Sequence, residues 1–410
     1  MVVKDFYNQK LAQVNVNTDS LRGKLFLSSI FRLLLFVSAF IAFILLNKYS
    51  LTLASVVGIL LFSSFLSLVV RHLFLTQQKI YWDSYKTVIE SEIKACGYNY
   101  NDFRNGEPYI NHRHEYSFDL DIFGRDSIFQ MINRTVTHEG EKQLVNILNT
   151  RTLEKGRIIK SQETVKELVA LPELMLQFRA TGKTSSIEDQ DIQQIIDWTS
   201  KKSFISNNRV LRVISFLMPS VLWLVLVFAF FYSSLIPLVG LIYLLNMLLV
   251  GYFTKNINRE HQRVSVFLKL LQKYQGLLTV ICCRDYKSGL LKQINEELSC
   301  NGQKADVQLK MLNRLVGAFD SRLNLAAAIF LEGFLMWDFH CLYKIDKWRN
   351  DCGSRLPVWL KNVSYFDALI SLGSYAFLHP EYVYPDISDE TVLDAGKVGH
   401  PPDSTWREGG

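Results

Sequence analysis

Charged residues are scarce over two long stretches of this chain, residues 30–75 and 213–253, although Asp, Glu, Lys and Arg make up 20% of the whole. That scarcity argues against an ordinary soluble globule, because each stretch is about twice the ~20 apolar residues that one helix needs to cross hydrocarbon. Strand alternation of any length is missing between and after these stretches, and so are internal repeats and low-complexity runs. The six cysteines, Cys96, Cys282, Cys283, Cys300, Cys341 and Cys352, contain no C-x-x-C spacing, so no disulfide framework is expected. A net charge of +6 over 410 residues is modest and matches a positive-inside bias, which leaves no case for nucleic-acid binding on charge alone.

Each apolar stretch reads as a hairpin of two spans. Asn47, Lys48, Tyr49 and Ser50 interrupt the first, and Tyr232, Ser233, Ser234 and Pro237 interrupt the second, supplying turn formers where a helix must reverse. Thirty or so residues precede the first span, and no small-residue cleavage site separates the two, so a cleaved signal peptide does not fit. Lys24, Arg32, Arg71, Lys79, Lys201, Lys202, Arg209, Arg212, Lys255, Arg259 and Arg263 all lie outside the turns, which hold only Lys48. Basic flanks stay on the cytoplasmic side, so the soluble segments are expected to be cytoplasmic and the protein to be a multi-pass protein of the cell (inner) membrane. The chain then divides into an N-terminal segment (1–29), hairpin one (30–75), a helical segment (76–212), hairpin two (213–253), a second helical segment (254–401) and a tail (402–410). The fold class is all-α. Asn246 is essentially the sole polar candidate inside the spans, which fits anchorage better than a channel or pump.

Helical periodicity marks the soluble parts. Val264, Phe267, Leu268, Leu271, Tyr274 and Leu278 recur at spacings of three and four and build one apolar stripe. Phe366, Leu369, Ile370, Leu372, Gly373 and Phe377 do the same for a helix expected to begin near Ser364 and end before Pro380. Residues 325–337 are apolar nearly all round yet too short to span, which predicts a helix buried in a protein core. Residues 123–148 read as two short helices, the first capped by Asp126 or Ser127 and the second by Thr137, with Glu139 and Glu141 near its positive end.

Candidate chemistry is thin. Gly182, Lys183 and Thr184 look like the end of a phosphate-binding loop, but Gln177 stands where the loop needs its first glycine, and the residues before it look helical. His112 and His114 form an H-x-H pair beside Glu115 without a third ligand at diagnostic spacing, so a solvated loop is expected. Glu332, Asp338 and His340 fall on different faces at helical spacing and read as a polar rim. Cys282 and Cys283 read as small buried hydrophobes rather than a redox or lipidation site. No residue is assigned as catalytic, cofactor-binding or metal-binding.

The run Leu120-Asp121-Ile122-Phe123-Gly124-Arg125-Asp126-Ser127-Ile128-Phe129, followed by Asn133-Arg134-Thr135-Val136-Thr137 and Gly140, resembles the opening of the core domain in the MutS DNA mismatch-repair family. Gln162 and Val165 fit a further family pattern, with Ser161 in place of its arginine. Phe366-Asp367-Ala368-Leu369-Ile370-Ser371-Leu372 resembles the end of the family's lever helix, and Gly399-His400-Pro401 resembles the element leading into its ATPase domain. The resemblance covers roughly residues 115–200 and 255–401. It implies a membrane-anchored branch of that family with core- and lever-like helical domains, DNA as a partner, a homodimer formed through the ATPase domain, and ATP with Mg in that domain. The N-terminal place of the family's Phe-x-Glu mismatch wedge is taken by hairpin one, where Tyr7 and the polar residues around it offer no equivalent, and nine residues follow Pro401, so a truncated or frameshifted, non-hydrolysing core without bound cofactor is expected. The alternative is a membrane scaffold that binds a protein partner and no nucleic acid.

Overall fold

The computed structural model describes residues 3–48, 50–185, 192–200 and 208–388, with Asp394 and Gly396. Tyr49, Lys201, Lys202, the Gly399-His400-Pro401 element and the tail 402–410 lie outside the described residues. In chain order the helices are α1 (Val3–Asn47), α2 (Leu51–Ala95), α3 (Ile128–Ile132), α4 (His138–Asn149), α5 (Lys155–Val169), α6 (Pro172–Lys183), α7 (Ile192–Ser200), α8 (Arg209–Phe231) and α9 (Ile236–Ser265). After them come α10 (Leu268–Cys282), α11 (Gly289–Glu297), α12 (Ala305–Phe319), α13 (Leu325–Leu335), α14 (Trp337–Cys352) and α15 (Leu356–Leu378). The one ribbon among the described residues pairs β1 (Ser299–Cys300) with β2 (Gln303–Lys304). Asn301 and Gly302 carry its turn at φ 50 and 75, the left-handed pair that an Asn-Gly hairpin turn requires.

Two units make up the chain, one of residues 1–134, 168–184 and 372–410, the other of residues 135–167 and 185–371. In the first unit α1 and α2 form a hairpin whose arms are each 45 residues long. At 1.5 Å per residue an arm runs about 68 Å, over twice the ~30 Å of bilayer hydrocarbon. The pairing follows a heptad: Tyr7, Val14, Thr18, Leu21 and Ser28 are buried, with Leu11 partly buried between them. Opposite them α2 buries Leu75, Tyr85, Val88, Ile89 and Glu92. In the apolar part the outward faces stay open: Phe31, Leu33, Phe40, Ile59, Phe62 and Val70 are all exposed. The polar ends of both arms join a core with Met131, Leu176, Ala180 and Leu378.

In the second unit the predicted stripe is buried at Val264, Phe267, Leu271, Tyr274 and Leu278, but it runs across a break, from the end of α9 into α10. Helix α12, with Leu309, Leu312, Val316 and Phe319 buried, packs on α10, and α14, with Phe339, Leu342, Ile345 and Trp348 buried, packs on α12. Each large side chain buried there contributes roughly 1.5–3 kcal/mol. Helix α15 begins at Leu356, eight residues ahead of the expected start, because Pro357 suits the first turn of a helix as well as it ends one. Ser127 caps α3 and Thr137 caps α4 by accepting the N–H groups of Gln130 and Gly140.

Two expectations are corrected. Residues 325–337 are not one core helix: α13 stops at Leu335, Met336 takes a left-handed conformation (φ 47), and Ile329 and Phe330 are 46% and 55% exposed. Cys300 and Cys352 form a disulfide with Cα atoms 6.0 Å apart; 52 residues separate them, so only tertiary packing brings them together and no local spacing announces the pair.

Candidate functional site

Two of the buried polar centres are built around a fully buried carboxylate, Asp367 in the second unit and Glu92 in the first. In the second unit, Val136 and the N-cap Thr137, just ahead of α4, present their N–H groups, and Asp367 of α15 receives them at 3.1 and 2.8 Å through Oδ2. The Thr137 hydroxyl donates to the same oxygen at 2.7 Å while accepting the Gly140 N–H at 2.9 Å. A carboxylate at a helix N-terminus satisfies donors that have no partner inside the helix. Gly140 is required by this arrangement, since a Cβ there would stand 2.2 Å from Asp367 Oδ2. Burial pushes the Asp367 carboxyl up to about 7, with the Thr137 and Val136 donors and the Lys273 charge pulling the other way.

In the first unit, Glu92 of α2 accepts Arg134 Nε at 2.9 Å and Arg179 Nη2 of α6 at 2.6 Å, with all three side chains buried. Arg134 stacks over the Phe103 ring at 3.8 Å and bonds the Met131 carbonyl. One anion thus ties α2, α6 and the segment after α3 together, and removing it would leave two buried guanidinium groups side by side. Farther along α1, Ser28 is buried on the heptad face, and Arg32 donates from Nη2 to the exposed Ser29 Oγ at 3.3 Å within the same helix.

The residues singled out from sequence are dispersed. Gly182 and Lys183 close helix α6 instead of forming a loop, and burial lowers the Lys183 ammonium. His114 Nδ1 accepts the N–H groups of Tyr116 and Ser117, and the His112 ring lies on Phe118 at 4.3 Å. No group of three or more His, Cys, Asp or Glu placed to hold a metal occurs among the described residues. Glu332 and Asp338 do meet, contrary to the helical-spacing expectation, because the helix breaks at Met336 between them: Glu332 Oε1 accepts the Asp338 N–H at 3.2 Å. Asp338 pairs with Arg322 at 3.2 Å, while His340 turns away onto Phe216. Cys282 is buried but Cys283 is exposed, so the pair is only half the buried dipeptide expected.

Sequence reasoning missed Glu92 and Arg179. Their signal was an ionised residue in an apolar stripe, Glu92 among Val88, Ile89 and Ala95, and Arg179 between Phe178 and Ala180. It missed the α1–α2 seam as well, whose heptad was legible in Tyr7, Leu11, Val14, Thr18 and Leu21.

The fold and these centres define a helical protein with, among the described residues, four helices long and apolar enough to cross a membrane, α1, α2, α8 and α9, and with polar side chains engaged in holding helices together. No protein family, curated protein or solved structure matches the chain.

Proposed function

We propose that this chain is a membrane-anchored, MutS-like core and lever body whose role is mechanical: it holds helical units at a bilayer and passes movement along them without catalysing a reaction itself. The observation that carries the reading is the Asp367 junction. Two segments that resemble the family's core opening and lever end, about 230 residues apart, meet there through Asp367, Val136, Thr137 and Gly140. Sequence likeness in separate segments gains weight when those segments form one contact. Four apolar helices with open outward faces support anchorage, since lipid solvates such faces and water does not. The basic residues flanking the spans support a cytoplasmic side for the soluble parts. In the family, ATP and Mg belong to a separate nucleotide-binding domain, and DNA is the partner of the assembled protein; here both are part of the proposal.

The test is binding of the full chain, in nanodiscs, to branched, mismatched and fully paired duplex DNA across a salt series. Phosphate contacts release counterions, so a MutS-like body should lose affinity steeply between about 50 and 200 mM salt. An absence of salt-sensitive affinity for every DNA would replace this reading with the scaffold that binds protein alone.

A further inference from the structure

Helix α13 is where an apolar surface and a fixed level along α9 coincide. Its backbone is bonded to α9: Tyr243 Oη donates to the Ile329 carbonyl at 3.0 Å and Asn246 Nδ2 to the Gly333 carbonyl at 2.8 Å. Phe334 packs on Trp223 of α8 and on Tyr243, with centroids 5.9 and 5.2 Å apart. The helices approach so closely that a Cβ on Gly333 would stand 1.9 Å from the Tyr243 ring. Tyr243 is near the middle of the uncharged run from Ile236 to Phe253, about 10 Å of helix from one end and about 15 Å from the other. A group bonded to its hydroxyl is therefore deep in hydrocarbon whenever α9 crosses a bilayer, and Ile329 and Phe330 beside that bond are open on their outer side.

Both ends of α13 lead back to the same end of α9. Before it, Asp320 bonds His261 at 2.7 Å, eight residues beyond Phe253; after it, Phe339 packs on Phe253 at 5.8 Å. The break at Met336 frees N–H groups at the start of α14, and Glu332 receives that of Asp338, whose carboxylate in turn holds Arg322. Backbone that bends below the headgroups must have its polar groups satisfied by protein. Glu332 does so for the Asp338 N–H of this neck, and the Asn246 amide does so for the Gly333 carbonyl.

We infer that α13 is a re-entrant helix, which dips into the bilayer beside α8 and α9, shows Ile329 and Phe330 to lipid acyl chains, and returns to the side it entered. The inference rests on the proposed reading that α8 and α9 cross the membrane. Its test is photocrosslinking of the full chain in phosphatidylcholine–phosphatidylglycerol vesicles, with p-benzoylphenylalanine at Phe330, at Ile329, at exposed Leu248 of α9 and at exposed Val307 of α12. Lipid adducts by mass at 330, 329 and 248 in comparable yield, and none at 307, are expected. Adducts at 248 without any at 330 or 329, or a protein adduct at 330, would overturn the re-entrant helix while leaving the spans in place. No lipid adduct even at 248 would remove the spans, and this inference with them.

Discussion

At the scale of single residues, Glu92 and Asp367, both fully buried, behave oppositely because their neighbours differ. Glu92 faces two guanidinium groups, so Glu92→Gln should destabilise the first unit by roughly 3–5 kcal/mol, read as a fall in the unfolding midpoint in nanodiscs. Asp367 faces backbone donors and one hydroxyl, and burial holds its carboxyl at about 7 against 3.8 for an unburied one. The folded chain then binds more protons than the unfolded chain between those values, so stability falls as pH rises from about 4 to about 7 and levels off above. A shift near three pH units corresponds to a loss on the order of 4 kcal/mol. Melting at pH 5 and pH 8 should show about two thirds of it, roughly 3 kcal/mol, in the wild type and little in Asp367→Asn; an equal slope in both would remove Asp367 as its source. Thr137 was legible as a cap from sequence alone, because capping is a local rule. Its engagement by Asp367 was not, since nothing in a linear pattern says which distant acid will meet a helix end.

At the scale of elements, legibility follows the same division. Both turns of the apolar hairpins fell where polar residues interrupt the runs, and the stripes of α10 and α15 were read from spacing. Burial of α13 was misjudged because an apolar helix of about a dozen residues looks alike in a protein core and against a pair of spans. The α1–α2 hairpin gives the sharpest element-scale expectation. Val14 sits on the heptad seam at 2% exposure, well outside the apolar stretch, so Val14→Asp should separate the polar halves of the two arms and leave the apolar halves paired. Limited proteolysis would report this as new cleavage near residues 10–20 with residues 30–75 still protected. Cleavage unchanged from wild type would mean that the seam does not hold the arms together. Gly333→Leu places a large side chain where the Tyr243 ring already stands, and should detach α13 from α9 with new protease sensitivity near residues 320–340.

For the whole molecule, two features bear on which side of a membrane the second unit occupies. Basic flanks favour the cytoplasm, whereas a disulfide between Cys300 and Cys352 persists in oxidising compartments. Rapid alkylation in intact cells followed by intact-mass measurement checks the bond: four of the six cysteines should be found as thiols, and a count of six would contradict the Cys300–Cys352 disulfide and leave the basic flanks as the sole guide to the side. The MutS-like reading adds a mechanical body to that anchor, and both depend on lipid being the solvent of the two apolar hairpins. Flotation of cell membranes after alkaline carbonate washing tests that dependence most directly. The full chain should float with the lipid and leave it only in detergent; folded, monodisperse protein in the carbonate supernatant would contradict the account.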